Sequence, residues 1–122
     1  MNRIARFGML MAVSGVVDAA SQPVEFSVMP VAIGDVRLSC QIKVKADHVT
    51  QVDYHVKYFD GGGKLLRESD VGWQNIVTGA VQPIEKGKSY TTKDRMPDGT
   101  AKAEATLLRV IFKDGKTWAP GH

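Results

Sequence analysis

Three histidines, one cysteine and scattered carboxylates are the side chains of this sequence that could ligate a metal or attack a substrate. Their spacing gathers few of them. Asp53 and His55 stand two residues apart in an alternating stretch, hence on one face of a strand, and could supply half of a metal site. His48 lies just before that stretch and His122 is the last residue, and neither adds a Cys/His spacing or a carboxylate cluster. The pattern predicts a solvated strand face of mixed polar residues, with no metal and no cofactor. Cys40 falls in the apolar phase of another alternating stretch, where a thiol is buried and behaves as a small hydrophobe. Arg37 and Lys43, the cations that could activate it, project from the opposite face. No serine stands in a Gly-x-Ser-x-Gly turn. Gly61 to Gly63 lacks the Lys-Ser/Thr and the helix of a phosphate-binding loop. We expect no catalytic residue and no enzyme activity.

Aromatic side chains offer a different chemistry, since flat rings with polar tips suit the recognition of sugars or peptides. Tyr54 and Tyr58 alternate with Val52 and Val56, which assigns them to a core face. Phe59 is out of phase with that buried set and is the better surface candidate. With Trp73, Tyr90 and Trp118 it forms the set of candidate binding residues, although a buried tryptophan between sheets is common in sandwiches.

The elements that position these residues are strands. Val36, Leu38, Cys40, Ile42, Val44 and Ala46 alternate with Arg37, Ser39, Gln41, Lys43, Lys45 and Asp47, a period of two that puts one set in a core and the other in water. Val24, Phe26 and Val28 suggest a shorter strand before it. Val52 to Tyr58 forms another, reversed by Asp60-Gly61-Gly62-Gly63, whose glycines reach the positive φ that a tight turn needs. Leu65-Leu66-Arg67 returns, Val71 to Val77 forms a further strand, and Gly79 to Gly87 is a loop. Lys88 to Thr92 has β-propensity. Met96-Pro97-Asp98-Gly99 is a turn. Ala101 to Leu108 suits a helix on propensity but alternates as a strand, so one long strand is expected through Phe112, with a bulge between Leu107 and Leu108. Lys113-Asp114-Gly115-Lys116 then turns into Thr117-Trp118. About seven short strands with regular turns read as an all-β antiparallel sandwich.

At 122 residues the chain holds one core. Its 16 basic and 13 acidic residues give a net charge of +3 and are interspersed without a basic run, which excludes the clustered footprint of a nucleic-acid binder. Cys40, alone, forms no internal disulfide. Arg3 and Arg6 precede an apolar stretch from Phe7 to Val17, and Val17 and Ala19 fit the small-residue positions of a cleavage site. Residues 1–19 therefore read as a signal peptide and residues 20–122 as a single domain. The apolar stretch is too short to span a bilayer, so no integral membrane segment is expected after cleavage. A periplasmic or extracellular location follows.

Tyr58-Phe59-Asp60-Gly61-Gly62-Gly63-Lys64-Leu65-Leu66 resembles the hairpin of FxLYD-like immunoglobulin-fold domains, and Pro83 to Tyr90 is similar to the loop and strand after it. The order Tyr54, Tyr58-Phe59-Asp60, Gly63, Trp73 and Met96-Pro97 also resembles small exported bacterial lipoproteins of unknown function, without their lipid-anchoring cysteine. The resemblance covers Val52 to roughly Phe112. It implies an immunoglobulin-like sandwich in the bacterial envelope and carries over no catalytic residue.

Two functions fit these observations. One is a non-catalytic exported domain that works through protein contacts, either with a protein partner or by self-association, at exposed strand edges. Lys43, Lys45 and Lys57 would discourage unwanted pairing wherever they lie on such an edge. The other is a structural subunit of a filament, appendage or virion, with residues 1–30 retained as an assembly arm.

Overall fold

Alternation along the longest strands decides the architecture, because each carries one apolar face that another layer must cover. A computed structural model describes residues 22–32 and 34–120 of the chain. The expected signal peptide and His122 lie outside the described residues. Nine strands occur among the described residues: β1 (Val24–Val28), β2 (Arg37–Val44), β3 (Val49–Phe59), β4 (Leu65–Trp73), β5 (Ile76–Val77), β6 (Ala80–Val81), β7 (Ser89–Arg95), β8 (Lys102–Phe112) and β9 (Thr117–Trp118). No helix occurs among the described residues. A three-stranded sheet has the order β1-β2-β7, a four-stranded sheet the order β4-β3-β8-β9, and β5 and β6 form a separate hairpin. Every pairing is antiparallel.

The two larger sheets pack through their inner faces. Leu38, Cys40, Ile42 and Val44 of β2 and Val52, Tyr54, Val56 and Tyr58 of β3 are all buried, as the period-two pattern requires. One cluster joins Val24, Ile42 and Val44 to Val49, Val52 and Val110, and takes in Ile84 from the loop before β7. A second joins Leu38 and Cys40 to Tyr54, Val56, Tyr58 and Met96. Each fully buried aliphatic side chain contributes about 1.5–3 kcal/mol. Removing one such residue from either sheet would open a cavity between the layers.

The glycine turn after β3 forms as expected. Gly63 has φ +86°, and the Asp60 carboxylate accepts bonds from the Gly62 and Lys64 amides at 2.9 Å. The Ala-rich stretch from Lys102 is strand, because its pairing with β3 outweighs its helical propensity. A bulge falls where the apolar phase changes: Arg109 pairs with Asp53 and Leu107 with Tyr54, leaving Leu108 as the extra residue. The region from Val71 to Val77 differs from expectation. Leu65 through Trp73 is one continuous strand, since Val71 pairs with Tyr54 and Trp73 with Val52, and β5 begins only at Ile76. The expected loop from Gly79 contains β6. Val24 to Val28, within the proposed assembly arm, pairs with β2 of its own sheet and buries Val24 completely.

Candidate functional site

The outer face of the four-stranded sheet carries the polar residues that the sequence places in phase, and each meets a cross-strand partner. Asp53 is 6% exposed although it lies on this outer face. Its Oδ1 accepts a bond from Gln51 Nε2 and its Oδ2 one from Arg109 Nε, both at 2.6 Å. The buried charge is thus paired on both oxygens, as burial demands. Gly72 lies opposite Asp53 on β4, and an added Cβ would come within 2.8 Å of the Gln51 amide nitrogen. A glycine in mid-strand here is the space that the Gln51–Asp53 pair occupies.

His55 and Asp53 do not share a site. The His55 ring lies between two β4 carboxylates, with Nδ1 2.6 Å from Asp70 and Nε2 2.8 Å from Glu68. Only the imidazolium can donate from both nitrogens. The bond to Asp70, then that to Glu68, holds the His55 pKa above its ordinary value against a smaller opposing effect of burial. Among the described residues no group of three or more His, Cys, Asp or Glu side chains is placed to hold a metal ion. Glu68, Asp70 and Arg109 escaped the sequence reading because only the strand register brings them to β3; the in-phase spacing of Glu68 and Asp70 was the available signal.

Between the layers, the Tyr54 hydroxyl donates to Asp94 and ties β3 to β7. Burial, and then the bond to Asp94, push its pKa upward. Cys40 is buried, its amide donates to Thr92 Oγ1 at 3.2 Å, and burial pushes its thiol up to about 12. A thiol so placed is not a nucleophile at neutral pH.

Of the four aromatic candidates two meet and two stand apart. Trp73 and Tyr90 stack as a tilted pair with ring centroids 5.3 Å apart, and the Tyr90 hydroxyl accepts a bond from the Glu85 amide. Both pack against the first core cluster. Trp118 lies on β9, at the other edge of the same sheet as Trp73. It lines a mostly apolar cleft of about 830 Å³ with Pro23, Ala46, His48, Phe112 and Thr117. Phe59 ends β3, half-buried, with Lys102 Nζ 5.2 Å from its ring centroid.

Strand edges are the other candidate surface. Lys43 lies in β2 and Lys57 in β3, both central strands, and Lys45 follows β2 with its ammonium 2.7 Å from Glu25. None of the three guards an edge. The edge strands are β1 and β7 in one sheet and β4 and β9 in the other. β4 and β7 lie on the same side of the molecule, where Arg67 Nη2 of β4 donates to the Arg95 carbonyl of β7 at 2.9 Å.

No family model matches the chain, and no curated protein matches it. The fold is similar to the crystal structure of a Bordetella pertussis protein assigned as ApaA, with a TM-score of 0.51 and 15% sequence identity over 80% of this chain and 87% of that one. At this identity the likeness concerns the fold alone.

Proposed function

We propose that this chain is a non-catalytic immunoglobulin-like domain, exported to the bacterial envelope, that works through protein contacts at its open strand edges. With the β5–β6 hairpin set aside, seven strands remain, three facing four. An immunoglobulin constant-type domain divides its strands four and three, and moving its fourth strand to the other sheet gives the present order. The likeness of Tyr58 to Leu66 to the FxLYD hairpin supports the same reading, as does the signal-like start of the sequence.

One observation carries the contact reading. β4 is a nine-residue edge strand with no partner on its outer side among the described residues, and most of its side chains are exposed. Such an edge is a template for an added strand. Leu65 and Leu66 at its start are exposed as well. Among the described residues no helix is long and apolar enough to cross a membrane.

The test places a photoreactive amino acid at Ser69 in the protein produced in its native host. A crosslink to a protein chain in the envelope fraction is expected, together with a mature N-terminus at Ala20 or Ser21. Absence of any protein crosslink at β4 would overturn the contact reading. A mature chain that starts at Met1 would overturn export by cleavage.

A further inference from the structure

We infer that the side of the molecule bearing β4 and β7 is a self-complementary docking surface, on which two copies of this chain join through two β4–β7 strand pairs. This inference rests on the reading that open edges are the contact surfaces, and it names the partner as a second copy.

Charge is the first argument. On the outer face of β4 the exposed residues include Glu68 and Asp70, two apart, which flank the His55 ring and leave that cluster net negative, and on the outer face of β7 they include Lys93 and Arg95, also two apart. An antiparallel pairing that sets Glu68 against Arg95 of the second copy sets Asp70 against Lys93 of that copy. Opposite charges directly across a strand pair are favourable and like charges are not. Pairing β4 with β4 about Ser69 would oppose Glu68 to Asp70. Pairing β7 with β7 about Asp94 would oppose Lys93 to Arg95. Both like-with-like pairings are thus disfavoured at mid-strand.

Backbone phase is the second. In β7, Met96 N donates to Val36 O and the Lys88 carbonyl accepts from Val44 N, so the even-numbered backbone groups turn toward β2. Those of Thr91, Lys93 and Arg95 point away, by the alternation of an antiparallel ladder. In β3, the Phe59 carbonyl accepts from Ala101 on the β8 side and Asp60 N donates to Lys64 O on the β4 side. The even residues of β3 therefore bond to Arg67, Ser69 and Val71, their register partners, and leave Glu68, Asp70 and Gly72 pointing outward. The residues paired by charge are the ones whose backbone groups face away from their own sheets; the Arg95 carbonyl accepts from the Arg67 side chain within the monomer and exchanges that bond for a strand bond on docking.

Height is the third. A two-fold axis parallel to the strands turns the three-stranded sheet of one copy into line with the four-stranded sheet of the other, with β4 and β7 antiparallel. Such a rotation keeps every residue at its own height, so the register between copies is already fixed within one. In the monomer the Trp73 ring lies against Tyr90 and the Arg67 side chain reaches Arg95. Trp73 thus falls near the height of Tyr90 of the second copy and Arg67 near that of Arg95, and of these adjacent registers the one that pairs the outward backbone groups sets Glu68 opposite Arg95 of the second copy. The contact is isologous and closes on itself.

Exposed apolar residues follow the same side. Ile76, Val77 and Val81 of the connection between β4 and β7 are 56%, 51% and 63% exposed, and the two-fold brings both copies of this segment to one end of the axis.

The test uses the mature chain purified from its host, by sedimentation velocity from 1 to 100 µM. Twice the chain mass is expected at the upper concentrations, weakening as salt is raised. The pair Glu68→Lys/Asp70→Lys and the pair Lys93→Glu/Arg95→Glu are each expected to weaken association at least about a hundredfold. Mixing the two variants restores both strand pairs, one with the wild-type charges and one with the charges reversed, and a heterodimer is expected. A wild-type monomer at 100 µM would overturn the inference, as would variants that stay dimeric or folded variants that fail to pair when mixed. A monomer that still crosslinks from Ser69 to a different protein would refute self-association alone. A monomer with no crosslink would refute both readings.

Discussion

Gly72 supplies the sharpest test of how the outer face of the four-stranded sheet is built. Its backbone needs no positive φ, so its role must be spatial. In Gly72→Ala the new Cβ would meet Gln51 Nε2 at 2.8 Å and Asp53 Oδ1 at 3.2 Å. The Gln51 amide is the end of a flexible side chain and moves; Asp53 is buried and held by Arg109. The substitution therefore breaks the Gln51–Asp53 bond. A hydrogen bond to a charged group contributes about 1.5–3 kcal/mol, and the lower end applies where the donor is half-exposed. Replacing glycine returns about 0.4–1 kcal/mol through the unfolded chain. The net expectation is a loss of about 1 kcal/mol.

The control is the same substitution in a Gln51→Ala background, where no amide stands in the way. There only the gain from replacing glycine remains, so Gly72→Ala should stabilise by about 0.5 kcal/mol, giving a coupling of about 1.5 kcal/mol between the two positions. Urea denaturation of the four proteins, with unchanged m-values, measures it. Equal costs of Gly72→Ala in both backgrounds would refute the reasoning, since the clash would then lie with the strand and not with Gln51.

Two further outcomes follow from the same geometry. Thr78 and Gly79, with φ of 49° and 84°, form the two-residue turn between β5 and β6, and a β-branched residue is strained there. Thr78→Asn should raise stability by about 1 kcal/mol, read as a rise of a few degrees in the thermal midpoint. His55 has a folded pKa above its unfolded value, so the stability it contributes is fully present below about pH 6.5 and is lost as pH rises through the folded value. Chemical denaturation from pH 5.5 to 8.5 should show this decline in the wild type and a flatter profile in His55→Gln; parallel profiles would count against the ion pairs to Asp70 and Glu68.

The sequence made the strands legible where one face is buried and the other solvated, because the two phases then differ in kind. β2 and β3 were readable for this reason, and so was the bulge at Leu108, where the apolar phase of β8 slips by one. β4 was harder: most of its residues are exposed, so its extent is fixed by pairing with β3 and not by its own pattern. The polar pairs were hidden for the same reason. Asp53 with Arg109 and His55 with Glu68 and Asp70 are neighbours only through register, and no spacing along the chain encodes register across a bulge. Trp73, Tyr90 and Trp118 stand out by type and Phe59 by its phase; packing between the layers joins Trp73 to Tyr90, and strand order separates that pair from Phe59 and Trp118.

Strand order also changes what the charges mean. Lysines on β2 and β3 cannot guard an edge, because each of those strands is flanked on both sides. The remaining edges differ in length. β9 has two residues and β1 five, against seven in β7 and nine in β4. Short edges expose few backbone groups, which is one way β-proteins limit pairing. The longer edges lie together on the opposite side, one acidic and one basic at matching positions. A charge of one sign on both edges would have kept copies apart. Opposite signs disfavour like-with-like pairing in mid-strand and favour the crossed pairing, which would leave β1 and β9 as the outer edges of the proposed dimer.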